Sequence, residues 1–264
     1  MKLDNVSPQW VYNTDGEALS EMTNVQLLLW SRGLCISGHD NDGNTMIAKA
    51  YAFEKRMAEE VLNAVFMNEP LLAGPQPINK IWIAAQRSMM VPSALYQQEL
   101  ADNWLKQVYF IEQDEDIIHH NISSPEAIAL FPLKQNLSTA LAQFFPEGKI
   151  KMFLNKNIDC GTKEHAFNAH IVLLGNTAML TLEEKGKLLS QHLFEYETID
   201  NITYKIALAA KERGYSQKET AVFISGVLAD LVAISNEMKT SYEHTELCEE
   251  TESLTFLTRL SKCE

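Results

Sequence analysis

Four cysteines and seven histidines are the residues of this chain best suited to nucleophilic or soft-metal chemistry. Cys35, Cys160, Cys248 and Cys263 are widely separated except for the last pair, whose fourteen intervening residues match neither a CxxC redox motif nor a two-plus-two zinc pattern. Reduced thiols are therefore expected, and Cys35, inside an apolar alternating segment, is expected to be a small buried hydrophobe. His119 and His120 are adjacent, so a strand would point them to opposite faces and they make a poor chelate. His165 and His170 have no carboxylate or thiolate cluster beside them to complete a ligand set, and solvated or hydrogen-bonded histidines are expected at all four positions. Asp40, Asp42 and Gly43 are spaced like the opening of a calcium loop, but Tyr51 stands at the twelfth position where a glutamate is required, so a hairpin tip is the better account. No catalytic residue and no metal site are expected.

Composition narrows the function classes. The 264 residues carry 35 acidic and 22 basic side chains, a net charge of −13 that repels phosphate backbones and anionic lipid surfaces. No basic patch overrides it, so a nucleic-acid partner is not expected. No uninterrupted apolar run approaches the ~18 residues of a membrane span, and Asp4 precedes any apolar stretch, so neither membrane insertion nor a signal peptide is expected. A cytoplasmic protein of one large domain or two modest ones is the expectation.

The elements that must position any site follow from periodicity. Residues up to about 20 read as an irregular arm whose Trp10 and Tyr12 dock on the body. Val25 to Trp30, Leu34 to His39 and Thr45 to Phe53 read as three strands, joined by Ser31-Arg32-Gly33 and by Asp40 to Asn44. Phe53 to Phe66 changes to helical spacing and stops at Asn68-Glu69-Pro70. Ile78 to Ala85 is a fourth strand. Gln86 to Asn136 gives no consistent pattern beyond a helix around Tyr96 to Lys106 and a short strand at Val108 to Gln113, and is treated as an insertion at about 86–133. Lys134 to Phe145 reads as a helix and Ile150 to Leu154 as a strand.

The same order then recurs. Ala169 to Leu174, Ala178 to Glu183 and Lys187 to Tyr196 are three strands, Thr198 starts a helix carrying Ile202, Ile206, Ala209 and Ala210, Ala221 to Ser225 is a fourth strand and Val227 to Met238 a helix. Ser31-Arg32-Gly33 maps onto Gly175-Asn176-Thr177, Ile36 onto Leu180, Tyr51 onto Phe194, and Ile81 and Ile83 onto Val222 and Ile224. The small drift of this offset favours a duplicated unit, with domains at 1–160 and 161–264. The acidic run Glu243, Glu246, Glu249, Glu250 and Glu252 reads as a solvated tail or loop.

The repeated meander, helix and strand, with a tight turn after each first strand and a Ser225-Gly226 turn after the last, resembles the actin-like ATPase fold built from two ribonuclease-H-like domains. It is similar, more closely, to an uncharacterised family of Bacteroidetes proteins of that architecture. The resemblance is carried by Leu28 to Ile36, Val91 to Tyr96, Leu193 to Thr198, Asp200 to Tyr204 and Val222 to Gly226, an ordered set spanning about residues 24 to 240. It implies a latent nucleotide site, with phosphates gripped by Ser31, Arg32 and Gly33 and by Gly175, Asn176 and Thr177, and with Gly226 on the adenine side. It also implies an aspartate near the end of each first strand, organising hydrated magnesium. Those positions read Leu29-Trp30 and Leu173-Leu174, so the acid is missing from both halves.

A non-catalytic protein of this fold, binding another protein and holding no cofactor, is therefore expected. The alternative is an enzyme or switch binding ATP with magnesium, in which Asp114 or Asp116 replaces the missing acid. Nuclease chemistry on clustered carboxylates conflicts with the net charge and the apolar first strands.

Overall fold

The computed structural model describes residues 7–13, 21–54, 59–123, 126–154, 165–248 and 255–262. The chain divides into two compact units, one of residues 1–7, 23–36 and 53–153, the other of residues 8–22, 37–52 and 154–264.

The first sheet contains β1 (Trp10–Asn13), β2 (Asn24–Trp30), β3 (Gly33–His39), β4 (Thr45–Ala52), β5 (Ile78–Ile83) and β9 (Lys149–Met152), in the order β1-β4-β3-β2-β5-β9. The expected arm at Trp10 to Tyr12 is thus a strand, antiparallel to β4 with Trp10 opposite Ala50. β2 pairs parallel with β5, and β5 parallel with β9. Parallel neighbours require crossovers, supplied here by α1 (Glu59–Asn68) and α3 (Gln135–Phe144). The helix expected from Phe53 is described from Glu59 onward; residues 55–58 lie outside the described residues.

The insertion builds its own small sheet. β6 (Met89–Pro92), β7 (Glu115–Ser123) and β8 (Glu126–Lys134) lie in the order β6-β8-β7, all antiparallel. α2 (Gln98–Val108) packs Ala101 and Leu105 into a core with Val91, Ile128 and Leu130. No strand forms at Val108 to Gln113, because Val108 completes α2 and the next strand opens only at Glu115.

The second sheet runs β12-β11-β10-β13-β14, from β10 (Phe167–Leu174), β11 (Thr177–Glu184), β12 (Lys187–Glu195), β13 (Thr220–Val227) and β14 (His244–Leu247). β10 to β12 pair antiparallel, while β13 is parallel to both β10 and β14. This is the order β4-β3-β2-β5-β9 of the first sheet over again. One face of β10 sends Phe167, Ala169, Ile171 and Leu173 into a core with Ile202, Ile206 and Ala210 of α4 (Ile199–Glu212). Those three α4 residues recur at i, i+4 and i+8, and burying each isoleucine contributes about 1.5–3 kcal/mol. The Asn201 side chain accepts from the Thr198 N–H at 3.2 Å to close the amino end of α4, and Gly214, at φ +82°, turns the chain after its carboxyl end.

Two boundaries near the end of the chain differ from the sequence reading. Ser225-Gly226-Val227 is not a turn but the last part of β13, and α5 (Leu231–Met238) begins only after Asp230, whose carboxylate accepts from Ala233 N–H at 3.0 Å. Glu246, in the acidic run read as a solvated tail or loop, instead lies in β14. Glu249, Glu250 and Glu252 lie outside the described residues. α6 (Thr255–Lys262) follows, burying Phe256, Leu257 and Leu260. None of the described helices is long and apolar enough to cross a membrane.

Candidate functional site

The turn between β10 and β11 is closed by its own neighbours. Gly175 takes φ +62°, the left-handed region that glycine enters freely, and its N–H donates to the Val227 carbonyl at 3.1 Å. The Gly175 carbonyl accepts from the Tyr196 hydroxyl at 2.8 Å, and the Asn176 carbonyl accepts from the Tyr196 N–H at 2.9 Å. Burial pushes the Tyr196 phenol pKa up, so it remains a proton donor to that carbonyl. Thr177 is fully buried, and its hydroxyl has no hydrogen-bond partner among the described residues. Gly226 lies inside β13 opposite Leu173, so Gly175, Asn176, Thr177 and Gly226 share one end of the second sheet.

Ser31, Arg32 and Gly33 belong to the first unit. The Arg32 carbonyl accepts from the Phe53 N–H and the Leu29 carbonyl from the Ala84 N–H, each at 2.8 Å, and Gly33 opens β3 as a buried residue. Ser31 faces a cavity of about 350 Å³ beyond the carboxyl ends of β2 and β5, which also touches Trp30, Ile83, Arg87, Glu115, Lys134 and Leu137. Arg87, Glu115 and Lys134 have no counterpart among the sequence-derived candidates. They come from three separate segments that only the small sheet brings together.

The charged groups here are interlocked. Arg87 Nη2 lies 2.5 Å from Glu115 Oε1, and its Nη1 donates to the Phe110 carbonyl at 2.6 Å. Lys134 Nζ donates to Asp114 at 2.8 Å and also pairs with Glu112. Hydrogen bonds from Lys134 hold the Asp114 carboxyl below its ordinary range, and bonds to Asp114 and Glu112 raise Lys134. Burial works against the Glu115 charge, but the hydrogen bonds from Arg87 and from the Glu112 N–H outweigh it and lower its pKa. Asp116 accepts from Gln135 Nε2 at 2.9 Å.

The strand ends themselves present Leu29, Trp30, Leu173 and Leu174, all buried. Magnesium is held through carboxylate, carbonyl and water oxygens, and these side chains offer none, so the residues at the strand ends do not fit a hydrated magnesium ion. Among the described residues no group of three His, Cys, Asp or Glu side chains is placed to share a metal.

Cys35 and the four histidines weighed from sequence take structural places. His119 Nδ1 lies 2.7 Å from the Tyr96 hydroxyl and Nε2 lies 3.0 Å from Asp102, tying β7 to α2. His120 Nδ1 accepts from the Met152 N–H at 3.1 Å. His165 packs on His244 with ring centroids 4.4 Å apart, and His170 is buried, stacked on Phe223 with Nε2 3.4 Å from Glu183. Cys35 is free and buried, which pushes its thiol pKa up and makes it inert. Cys248 corrects the expectation of reduced thiols: it is disulfide-bonded. Spacing rules weigh sequence neighbours and do not see a pairing that folding creates.

Comparison with known proteins agrees with this geometry. A protein from Bacteroides thetaiotaomicron VPI-5482, with an actin-like ATPase fold and unknown function, matches with a TM-score of 0.73 at 17% identity, over 96% of this chain and 100% of that one. The PilM-PilN type IV pilus biogenesis complex matches with a TM-score of 0.52 at 12% identity, over 91% of this chain and 97% of that one. At such identities the likeness shows the fold, and the fold is that of actin-like ATPases. No match is found among curated proteins. The model of the family described as protein of unknown function (DUF3822) matches residues 18–244, and the chain belongs to that family.

Proposed function

We propose that this chain is a non-catalytic actin-like-fold protein that works by binding another protein, with no nucleotide or magnesium at its strand ends. The observation that carries this reading is the Gly175 turn. A phosphate-gripping turn must offer free backbone amides and a reachable hydroxyl. Here the Gly175 N–H is spent on Val227, Tyr196 caps the turn from its hydroxyl and its own N–H, and the Thr177 hydroxyl is fully buried. The PilM-PilN complex, of the same fold, is itself an assembly of two proteins. Fold likeness by itself does not transfer a function, so the reading rests on the turn.

One observation favours a second reading, an ATP-binding enzyme or switch: Ser31 opens onto a cavity that Lys134 and Arg87 also line. In that reading Ser31, Arg32, Gly33, Gly175, Asn176, Thr177 and Gly226 contact nucleotide, and Asp114 or Asp116 supplies the acid. Asp114 is committed to Lys134.

A thermal-shift titration with ATP, ADP and GTP, each with and without magnesium, separates the two. Ligand at a hundred times its dissociation constant stabilises by ~2.7 kcal/mol, or roughly 5–10 °C for a chain of this size. No shift at millimolar nucleotide, with a partner retained on the tagged chain through affinity purification, is the expected result. A magnesium-dependent rise of that size overturns it.

A further inference from the structure

β4 and β12 hold the same place in their sheets, β4 in β1-β4-β3-β2-β5-β9 and β12 in β12-β11-β10-β13-β14, but their outer edges differ. The Phe53 N–H, just past β4, donates to the Arg32 carbonyl at 2.8 Å, and the Tyr196 N–H, just past β12, to the Asn176 carbonyl at 2.9 Å. Hydrogen bonding alternates along an antiparallel strand, so Ala50 and Leu193, each three residues earlier, turn their backbone N–H and C=O to the outer edge. The Ala50 carbonyl accepts from the Gln9 N–H at 3.0 Å, where β1 is laid antiparallel along β4. Leu193 meets no such strand, because among the described residues β11 alone pairs with β12. An edge is a template for another strand unless charges or bulges blunt it. Here Lys187 and a bulge at Leu189 guard one end and Glu195 the other, leaving Leu193 between them. Between β12 and α4 lies a cavity of about 290 Å³ with an apolar lining of Phe167, Leu180, Leu182, Leu189, Leu208 and Ala209. Its charged lining, Lys205, Glu212 and Arg213, is of mixed sign, with Lys205 over the Phe194 ring and Arg213 4.0 Å from Glu184, so the apolar surface decides what fits. Ser190 and His192 stand opposite Leu182 and Leu180, so alternate side chains of a strand added to β12 fall over this lining. A second copy pairing β12 with β12 would bring to that face Ser190 and His192, which are polar, and Phe194, which is already packed in its own core.

We propose that β12 receives an extended segment of the partner protein as an added antiparallel strand, in the way β1 is added to β4. Apolar side chains at alternate positions of that segment fill the groove against α4. The inference rests on the protein-binding reading above and gives that partner its chemistry.

The probe is a capped peptide of alternating threonine and valine, its control the same peptide methylated at the backbone nitrogens, and the readout is the Leu193 amide. In the free, dilute protein that amide is expected to exchange readily with solvent. The peptide is expected to slow its exchange and to shift its resonance saturably at millimolar concentration, and the methylated peptide to do neither. Leu208→Asp, at a position 44% exposed, places a charge in the groove and is expected to weaken the peptide about five- to tenfold, whereas Val232→Asp, at an exposed position of α5, leaves the affinity unchanged. No saturable change at Leu193, or equal binding of the methylated peptide, overturns the proposal. Protection of Leu193 that grows with protein concentration alone assigns the edge to a second copy and overturns it as well. A partner retained in full by the Leu208→Asp protein overturns the site while leaving the protein-binding reading intact. A magnesium-dependent nucleotide shift overturns that reading itself.

Discussion

Gly226 and Leu173 approach so closely across β13 and β10 that a Cβ on Gly226 would lie 2.1 Å from the Leu173 carbonyl oxygen and 2.7 Å from its nitrogen. Both obstacles are backbone in adjacent strands of the second sheet, so no rotamer change relieves them, and φ at Gly226 is +149°. Gly226→Ala is therefore expected to cost more than about 3 kcal/mol, lowering the melting temperature by ~6–12 °C or preventing accumulation of folded protein. Gly186 is the control: its φ is +75°, but a Cβ there meets nothing within 4 Å, so Gly186→Ala is expected to cost only about 1–2 kcal/mol of backbone strain. Equal melting temperatures for the two variants would show that the sheet yields at Gly226.

A second prediction concerns the end of the chain. Thr258 of α6 accepts from the Thr45 N–H at 3.0 Å, its hydroxyl lies 2.9 Å from that of Thr45, and Ser261 donates to the Gly43 carbonyl at 2.5 Å. The helix thereby clasps the hairpin tip between β3 and β4. Thr258→Val keeps the shape, leaves the Thr45 N–H without its acceptor and leaves the Thr45 hydroxyl only the 3.5 Å contact with His39 Nδ1, an expected loss of about 1–3 kcal/mol. Hydrogen exchange at the Thr45 amide should accelerate with it, and Thr258→Ser should restore protection. Unchanged exchange in the valine variant would mean that water or a neighbour replaces the hydroxyl.

The Asp40 to Asn44 tip, read from sequence as a turn, is one, with Asp40 accepting from the Asn44 N–H at 2.8 Å. Legibility of this order holds along both sheets, because two-residue turns at Ser31-Arg32, Gly175-Asn176 and Lys185-Gly186 punctuate strands that are apolar enough to mark themselves. The insertion was opaque for a different reason. β7 carries Asp116, His119, His120 and Asn121 among its apolar residues, and β8 contains Pro132, which argues against a strand when met in sequence. β6 pairs only with Ala127 to Leu130, so beyond Leu130 that side of β8 is an edge and the proline is tolerated. The cavity group was hidden for a related reason: Arg87, Glu115 and Lys134 form no local motif and meet only because β8 pairs Lys134 with Glu115. The acidic run from Glu112 to Asp116 was the one signal on offer.

That pairing makes stability at low pH depend on Glu115. Its pKa is lowered in the fold from the ordinary 4.5, burial opposing the charge and the hydrogen bonds from Arg87 and the Glu112 N–H prevailing. A depressed carboxylate stabilises the fold above its unfolded pKa, and the contribution disappears as pH falls through the folded value. The difference in urea midpoint between wild type and Glu115→Gln is expected to be largest near neutrality and to close as pH drops below the usual glutamate range. A difference constant with pH would assign the effect of the substitution to packing.

The alkaline limb has the opposite sign and a different residue. Tyr242 is fully buried, donates its hydroxyl to the Thr203 carbonyl at 3.1 Å, and has its pKa pushed up to about 12 by burial, a hydrogen bond with Gln217 offsetting part of the rise. A group whose folded pKa is raised stabilises the fold fully below its unfolded value, here the ordinary 10.0, and loses that contribution as pH climbs through the folded one. Wild-type stability is therefore expected to fall between those two values, as the unfolded chain gains the phenolate that the fold resists. Tyr242→Phe removes the titrating group and costs about 1 kcal/mol at neutral pH through the lost hydrogen bond. Its stability should then change less steeply over the same alkaline interval, so that the two denaturation curves converge as pH rises. Parallel curves would show that Tyr242 ionises in the fold as readily as in the unfolded chain, and that α4 and the segment after α5 open to water there.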